Sequence, residues 1–203
     1  MPTPQATTAD ATIIRRVLAG DVNAFALIVD RYHARCLRVA THLLGDSDDA
    51  EDAVQDAFVR AYRHLGSYRP RDVGVDNAGG ESGGDGAFGA WLLRILVNQC
   101  RTRSARMSRY ARFDAEPSEQ IEGGAAEPTA ATDHEAAERR TDLAQALALL
   151  SPEHREAVVL RFADELSYDE MASITGVGVS ALKMRVQRAC TRLRALLAEH
   201  LHA

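Results

Sequence analysis

Residues 166–189, LSYDEMASITGVGVSALKMRVQRA, restrict the fold of this chain more than any other stretch. Ser167 and Glu170 have the S-x-x-E spacing of a capping box. Such a box starts a helix because each residue satisfies a backbone donor that the helix leaves unpaired. Gly176 supplies the left-handed residue on which that helix ends. Ser180 can cap the next one. There Leu182, Val186, Ala189 and Leu193 share an apolar stripe, and Lys183, Arg185, Arg188 and Arg192 fall largely off it. A short helix, a glycine turn and a basic second helix make a helix-turn-helix, whose second helix fits the major groove of DNA.

A chain of 203 residues holds one large domain or two small ones. Its hydrophobic share of 46% is that of a globular protein. No apolar run approaches the roughly 20 residues that span a bilayer, and Met1 to Ala11 lacks a basic-then-apolar leader pattern. The expectation is a cytoplasmic protein with no membrane insertion. Cys36, Cys100 and Cys190 are far apart and none lies in a C-x-x-C pair, so no metal site and no cofactor is expected. Each falls among apolar helical positions, where a free thiol acts as a small hydrophobe.

The formal net charge of −5 at first argues against nucleic acid, but its distribution argues for it. Between Arg94 and Arg112 there are six arginines and no acid, and between Lys183 and Arg194 every charge is positive. Acids crowd instead into Asp46 to Asp56 and Glu116 to Glu138. Phosphate is neutralised at a surface, so the local field decides affinity rather than the sum of charges. The acidic segments then suit a partner other than DNA.

Helical periodicity runs from Asp10 to about Tyr68, broken at Gly20-Asp21 and Gly45-Asp46. Asp46 to Asp49 offers several N-caps for a helix reaching about Leu65. Residues 70–86 break the periodicity as a glycine-rich loop. Helix resumes near Ala87, with Phe88, Trp91, Leu92, Ile95 and Leu96 apolar, and becomes arginine-rich to about Arg112. Residues 113–132, rich in Glu, Ala, Gly, Pro and Thr, read as a linker. From Asp133 the helical pattern returns, and Ser151-Pro152-Glu153 is an N-cap, a proline at the first helical position and an acid at the positive helix end. The expected fold is all-α: one small helical domain over 10–112, and a second, with the helix-turn-helix, over 133–203.

Three blocks in order carry a family resemblance: DAEDAVQDAFVRAY at 49–62, FGAWLLRILVN at 88–98, and the run from Leu149 through the helix-turn-helix to Ala189. Together they resemble the bacterial sigma factors of the extracytoplasmic-function (ECF) group. The resemblance covers nearly the whole chain outside the glycine-rich loop, the linker and the termini. It implies a region 2 domain, a region 4 domain, and a role in lending RNA polymerase its promoter specificity. For the first block it implies binding to the core polymerase through Asp49, Asp52, Gln55, Asp56 and Arg60. The chemistry suits this, because a row of carboxylates holds a partner's arginines through charge-assisted bonds. A solvated acidic helix face is the plainer alternative.

For the second block the resemblance implies contact with the −10 promoter element through Arg94, Asn98, Arg101, Arg103 and Arg106. Arginines there can neutralise phosphates beside unstacked bases, and Asn98 either bonds to a base or caps structure. Phe88 and Trp91 are core residues or stacking platforms. The family carries an acid four residues after the asparagine, where this chain has Thr102, and the glycine-rich segment stands where the family has a short loop that captures a flipped base. For the third block the resemblance implies −35 readout by Ser180, Lys183, Met184, Arg185, Gln187 and Arg188. Lys and Arg suit guanine edges and Gln suits adenine. An anti-sigma factor is the further partner implied. Two rivals stand beside this reading: a helix-turn-helix regulator that never joins RNA polymerase, and an enzyme using Asp48, Asp49, Glu51, Asp52 and Asp56 as a two-metal carboxylate site. The first leaves the 49–62 block unexplained, and the second finds no histidine in its cluster. The chain is therefore expected not to be an enzyme.

Overall fold

A computed structural model describes residues 9–69, 85–113 and 131–200. The glycine-rich loop and the linker expected from the sequence lie almost wholly outside these residues. The described residues form helices, with no strand among them.

The first half holds α1 (Asp10–Leu18), α2 (Phe25–Leu44), α3 (Ser47–His64) and α4 (Asp85–Phe113). The helix ends follow their sequence signals. α2 stops on Gly45 at φ 79°, in the left-handed region that glycine enters without a Cβ clash. The Asp46 carboxylate then accepts the Asp49 N–H at 2.8 Å and starts α3. α3 buries Ala50, Ala53, Val54, Ala57, Phe58 and Ala61, and its four alanines let α2 and α4 come close. α4 turns Phe88, Leu92, Leu93, Leu96, Val97 and Cys100 inward. Truncating one such leucine to alanine costs about 2–5 kcal/mol. The core reading of Phe88 and Trp91 fits the packing: Phe88 is fully buried, and its ring lies 5.4 Å from both Trp91 and Tyr68. The buried Asp10 carboxylate accepts bonds from Arg31 and Tyr32, tying α1 to α2.

The second half holds α5 (Ala131–Ala148), α6 (Pro152–Val158), α7 (Tyr168–Thr175) and α8 (Val179–His200). The periodicity predicts one helix from Pro152 to about Phe162. In the structure α6 instead widens into a π turn over Val159–Ala163, with the Asp164 N–H bonded to the Val159 carbonyl at 3.2 Å. Glu165 follows at φ 56°. The capping box forms as predicted: Glu170 N–H donates to Ser167 Oγ, and Ser167 N–H donates to the Glu170 carboxylate. α7 ends on Gly176 at φ 73°. One capping expectation is corrected. α8 begins a residue before Ser180, and Gly178 takes the first helical bond, from Leu182 N–H.

The two halves are docked. α4 packs on α7, and α2 packs on α6 and the π turn. One continuous cluster of buried apolar side chains runs from Ile13 through Leu96 to Met171, Leu182 and Val186. A smaller cluster lies under α5, α6 and α8. Cys36 and Cys100 are buried and free, and burial pushes both thiols up to about 12. Such thiols behave as hydrophobes, as the sequence suggests.

Candidate nucleic-acid and polymerase interfaces

α3 presents its acids as a row. Asp52, Gln55, Asp56 and Arg60 are exposed and Asp49 is half-buried. The row is not empty. The Arg103 guanidinium from α4 lies among Asp49, Asp52 and Asp56, with Nη1 at 3.2 Å from Asp49 and 3.3 Å from Asp52, and Nη2 at 3.1 Å from Asp56. Spacings of three and four residues stack these carboxylates on one side of the helix. This cation takes up carboxylates that a two-metal site would need. Among the described residues, no group of three or more His, Cys, Asp or Glu is arranged to hold a metal ion. The other flank of α3, with Glu51, Gln55, Val59 and Tyr62, borders an apolar groove that Phe25 and Val29 of α2 complete.

The five α4 residues expected at the −10 element separate into two groups. Arg94, Asn98 and Arg106 are exposed and follow one another at multiples of four residues, so they form one stripe. Arg101 and Arg103 lie on either side of that stripe, and both are engaged within the chain. Arg103 turns to α3. Arg101 turns to the second half, where its Nε and Nη2 bond to the two Glu156 oxygens at 2.7 Å each, and Nη1 and Nη2 reach the Thr175 carbonyl at 3.4 Å. The bonds with Glu156 hold the Arg101 guanidinium above its usual pKa, more than offsetting its partial burial. Thr102 bonds back to the Asn98 carbonyl at 2.9 Å.

α8 carries the expected −35 set on its outer face. Ser180, Lys183, Met184, Gln187 and Arg188 are exposed, and Arg185 is half-buried. Leu182, Val186, Ala189, Leu193 and Leu196 hold the opposite face against α5 to α7. Lys183 Nζ sits 5.7 Å from the Tyr168 ring centroid, within cation–π range. The helix is thus anchored on its apolar side and turns most of its polar side to solvent.

Residues that sequence reasoning missed lie between the halves. Arg35 of α2 grips Asp164 with two bonds, Nε to Oδ1 at 2.6 Å and Nη2 to Oδ2 at 2.8 Å. Arg155 of α6 donates to the Leu43 carbonyl at 2.9 Å and to the Leu147 and Ala148 carbonyls, capping the ends of α2 and α5 together. Arg35 and Asp164 are 129 residues apart in sequence, and no local pattern signals their pairing.

Comparison with known proteins bears on these surfaces. Residues 28–74 match the family described as Sigma-70 region 2, and residues 140–193 match Sigma-70, region 4. The chain is 30% identical over 190 residues to the RNA polymerase sigma-H factor of Pseudomonas aeruginosa, with 89% of each chain covered. It is 32% identical over 186 residues to the ECF RNA polymerase sigma-E factor of Escherichia coli, covering 89% of this chain and 90% of that one. Among solved structures it is similar to the sigma factor RpoE of Bartonella quintana in complex with the anti-sigma factor NepR. That likeness has a TM-score of 0.64 and 27% identity, and covers 86% of this chain and 96% of that one. It is also similar to CnrH in complex with the cytosolic domain of CnrY, with a TM-score of 0.62, 26% identity, and 95% and 99% covered.

Proposed function

The chain belongs to the ECF group of RNA polymerase sigma factors, and from that premise we propose how its surfaces divide the work. Residues 10–112 act as the region 2 domain and residues 133–203 as the region 4 domain. The α3 row of Asp49, Asp52, Gln55, Asp56 and Arg60 faces the core polymerase. Arg94, Asn98 and Arg106 form the stripe that meets the −10 strand, and Arg101 joins them when Glu156 releases it. Arg103 acts through α3, keeping its carboxylates in one geometry. Ser180, Lys183, Met184, Gln187 and Arg188 read the −35 duplex, with Arg185 at its edge.

One observation carries the reading: α8 is fixed by a capped α7, a left-handed Gly176 and a buried leucine stripe, while its cationic and amide side chains face outward. Nothing within the described residues uses that outer face as core. The chain supplies specificity and no chemistry, so it is a transcription initiation factor and not an enzyme. Work beside RNA polymerase places it in the cytoplasm. Among the described residues no helix is long and apolar enough to cross a membrane. Two similar structures are complexes with an anti-sigma factor or a cytosolic partner domain, and control of this chain by an anti-sigma factor follows that pattern.

The test is binding of the purified chain to core polymerase and then to promoter duplex. Reversing one exposed charge, Asp52→Lys, is expected to weaken core binding about tenfold or more, since like charges then face each other. Lys183→Ala leaves core binding unchanged and weakens −35 binding. Equal core affinity for wild type and Asp52→Lys contradicts the proposed role of α3.

A further inference from the structure

We propose that Met184 makes this chain select a thymine in the −35 duplex, by packing on the C5-methyl group that thymine carries in the major groove. This rests on the promoter-reading role of α8 proposed above and names the base that one position of the helix takes. Met184 is 47% exposed and lies in the second turn of a helix that starts at Val179. The N-terminal residues of a recognition helix are the ones that meet base edges. At about 100° per residue, Met184 stands within about 20° of directly opposite the buried stripe of Leu182, Val186, Ala189 and Leu193. The packing that fixes α8 therefore points Met184 outward at the middle of the exposed face.

Its neighbours leave that place to it. Lys183 is drawn aside toward Tyr168: its Nζ lies 5.7 Å from the ring centroid, and Arg161 approaches the same ring with Cζ at 5.4 Å. Arg185 turns instead toward a cavity that it lines with Arg101, Glu153 and Glu156. Ser180 and Arg188 stand one turn to either side of Met184, with Gln187 and Ala181 beside it, and all four are exposed. The middle of the face is thus an apolar spot, the Met184 thioether with the Ala181 methyl, ringed by hydroxyl, amide and guanidinium groups.

The chemistry of base edges leaves one match for such a spot. In the major groove guanine, cytosine and adenine are told apart by donors and acceptors, and thymine alone adds a methyl group. A thioether donates no hydrogen bond and accepts only weakly. A polar base atom pressed against it loses water without gaining a partner, which is costly. A methyl group pressed against it gives up only apolar contact with water, which is favourable. The unbranched Met184 side chain adapts its shape to that methyl, as methionine does in irregular apolar gaps. Gln187, three residues on and roughly 5–6 Å away at Cβ, suits the N6 and N7 atoms of adenine. The two side chains together favour A·T pairs. A single apolar side chain on a protein surface needs no explanation by itself. This one stands at the centre of a face whose other groups form hydrogen bonds, where an unmatched apolar group would cost affinity at every base.

The test uses holoenzyme assembled from the full chain and core polymerase, and a promoter duplex that this holoenzyme selects from a sequence library. Each thymine of its −35 element is replaced in turn by deoxyuridine, which removes one methyl group and keeps every hydrogen-bonding group. One such replacement is expected to weaken wild-type binding about fourfold, the worth of one buried methyl group. Met184→Ala should bind the unmodified duplex more weakly and treat thymine and deoxyuridine at that position alike. Met184→Leu, which keeps an apolar body, should retain most of the discrimination. The thymine-to-deoxyuridine ratio is taken within each protein, so a change in the folded fraction cancels. A wild-type holoenzyme indifferent to every deoxyuridine, or a Met184→Ala holoenzyme that discriminates as wild type does, overturns the proposal and leaves promoter reading by α8 standing. Failure to select any promoter from the library removes that reading, and the proposal with it.

Discussion

Replacing Arg103 with alanine tests how the acidic face of α3 is built. The guanidinium is 17% exposed and lies 3.1–3.3 Å from three carboxylates. Asp52 and Asp56 are more than half exposed, so each of those pairs falls in the range of surface ion pairs, about 0.2–1 kcal/mol. Asp49, at 29% exposure, is worth somewhat more. Removing the cation also leaves carboxylates three and four residues apart unscreened, adding about 0.2–0.5 kcal/mol per pair. Together the loss is about 2 kcal/mol at low salt. With a urea slope of about 2 kcal/mol per molar, the unfolding midpoint falls by roughly 1 M. In 1 M NaCl the Debye length shrinks to about 3 Å and the difference should fall by half or more. Arg103→Lys should recover only part, because an ammonium cannot fork across three acids. Urea denaturation of the three proteins at 50 mM and 1 M NaCl reads this. Unchanged stability in both salts, together with a loss of −10 binding, would refute the clasp and return Arg103 to the DNA surface.

Four other outcomes are expected. Arg188→Ala should weaken binding at particular −35 sequences by about 1–3 kcal/mol, and a promoter profile identical to wild type would count against the register of α8. Ser167→Ala removes the acceptor of the Glu170 N–H and should lower stability by about 1 kcal/mol, measured as a shift in melting temperature. At pH 8 Cys36 and Cys100, pushed up to about 12 by burial, should resist a thiol-specific disulfide reagent until the chain unfolds, whereas half-buried Cys190 reacts in the folded protein. Those two thiols keep their protons when folded and release them near pH 9 when unfolded. Stability should therefore fall as pH climbs from about 9 toward 12, and a flat profile there would contradict their burial.

The elements were legible in the sequence wherever a local signal set them. The S-x-x-E box, Gly176, Gly45 and the Asp46 cap each act within four residues, and each forms. The apolar stripe of α8 and the outward set opposite it follow from helical period alone. Failures came where a distant contact decided. Pro152 to Phe162 reads as ordinary helix, and the π turn at its end becomes intelligible only beside Arg35. Arg101 and Arg103 look like Arg94 and Arg106 in composition. Their different fates depend on α6 and α3 lying to either side of α4, which no spacing within 94–106 encodes. Ser180 has the residue type of a cap, yet the helix begins one residue earlier.

The proposed division of labour sets one acidic surface on the polymerase and two outward cationic surfaces on the promoter. Transcription in vitro with purified core polymerase on a library of promoter sequences tests it most directly. Start sites should share paired upstream elements, with preference at the −35 position altered by Gln187→Ala or Arg188→Ala and activity reduced by Asp52→Lys. No initiation above core polymerase alone, or initiation indifferent to all three substitutions, would contradict it.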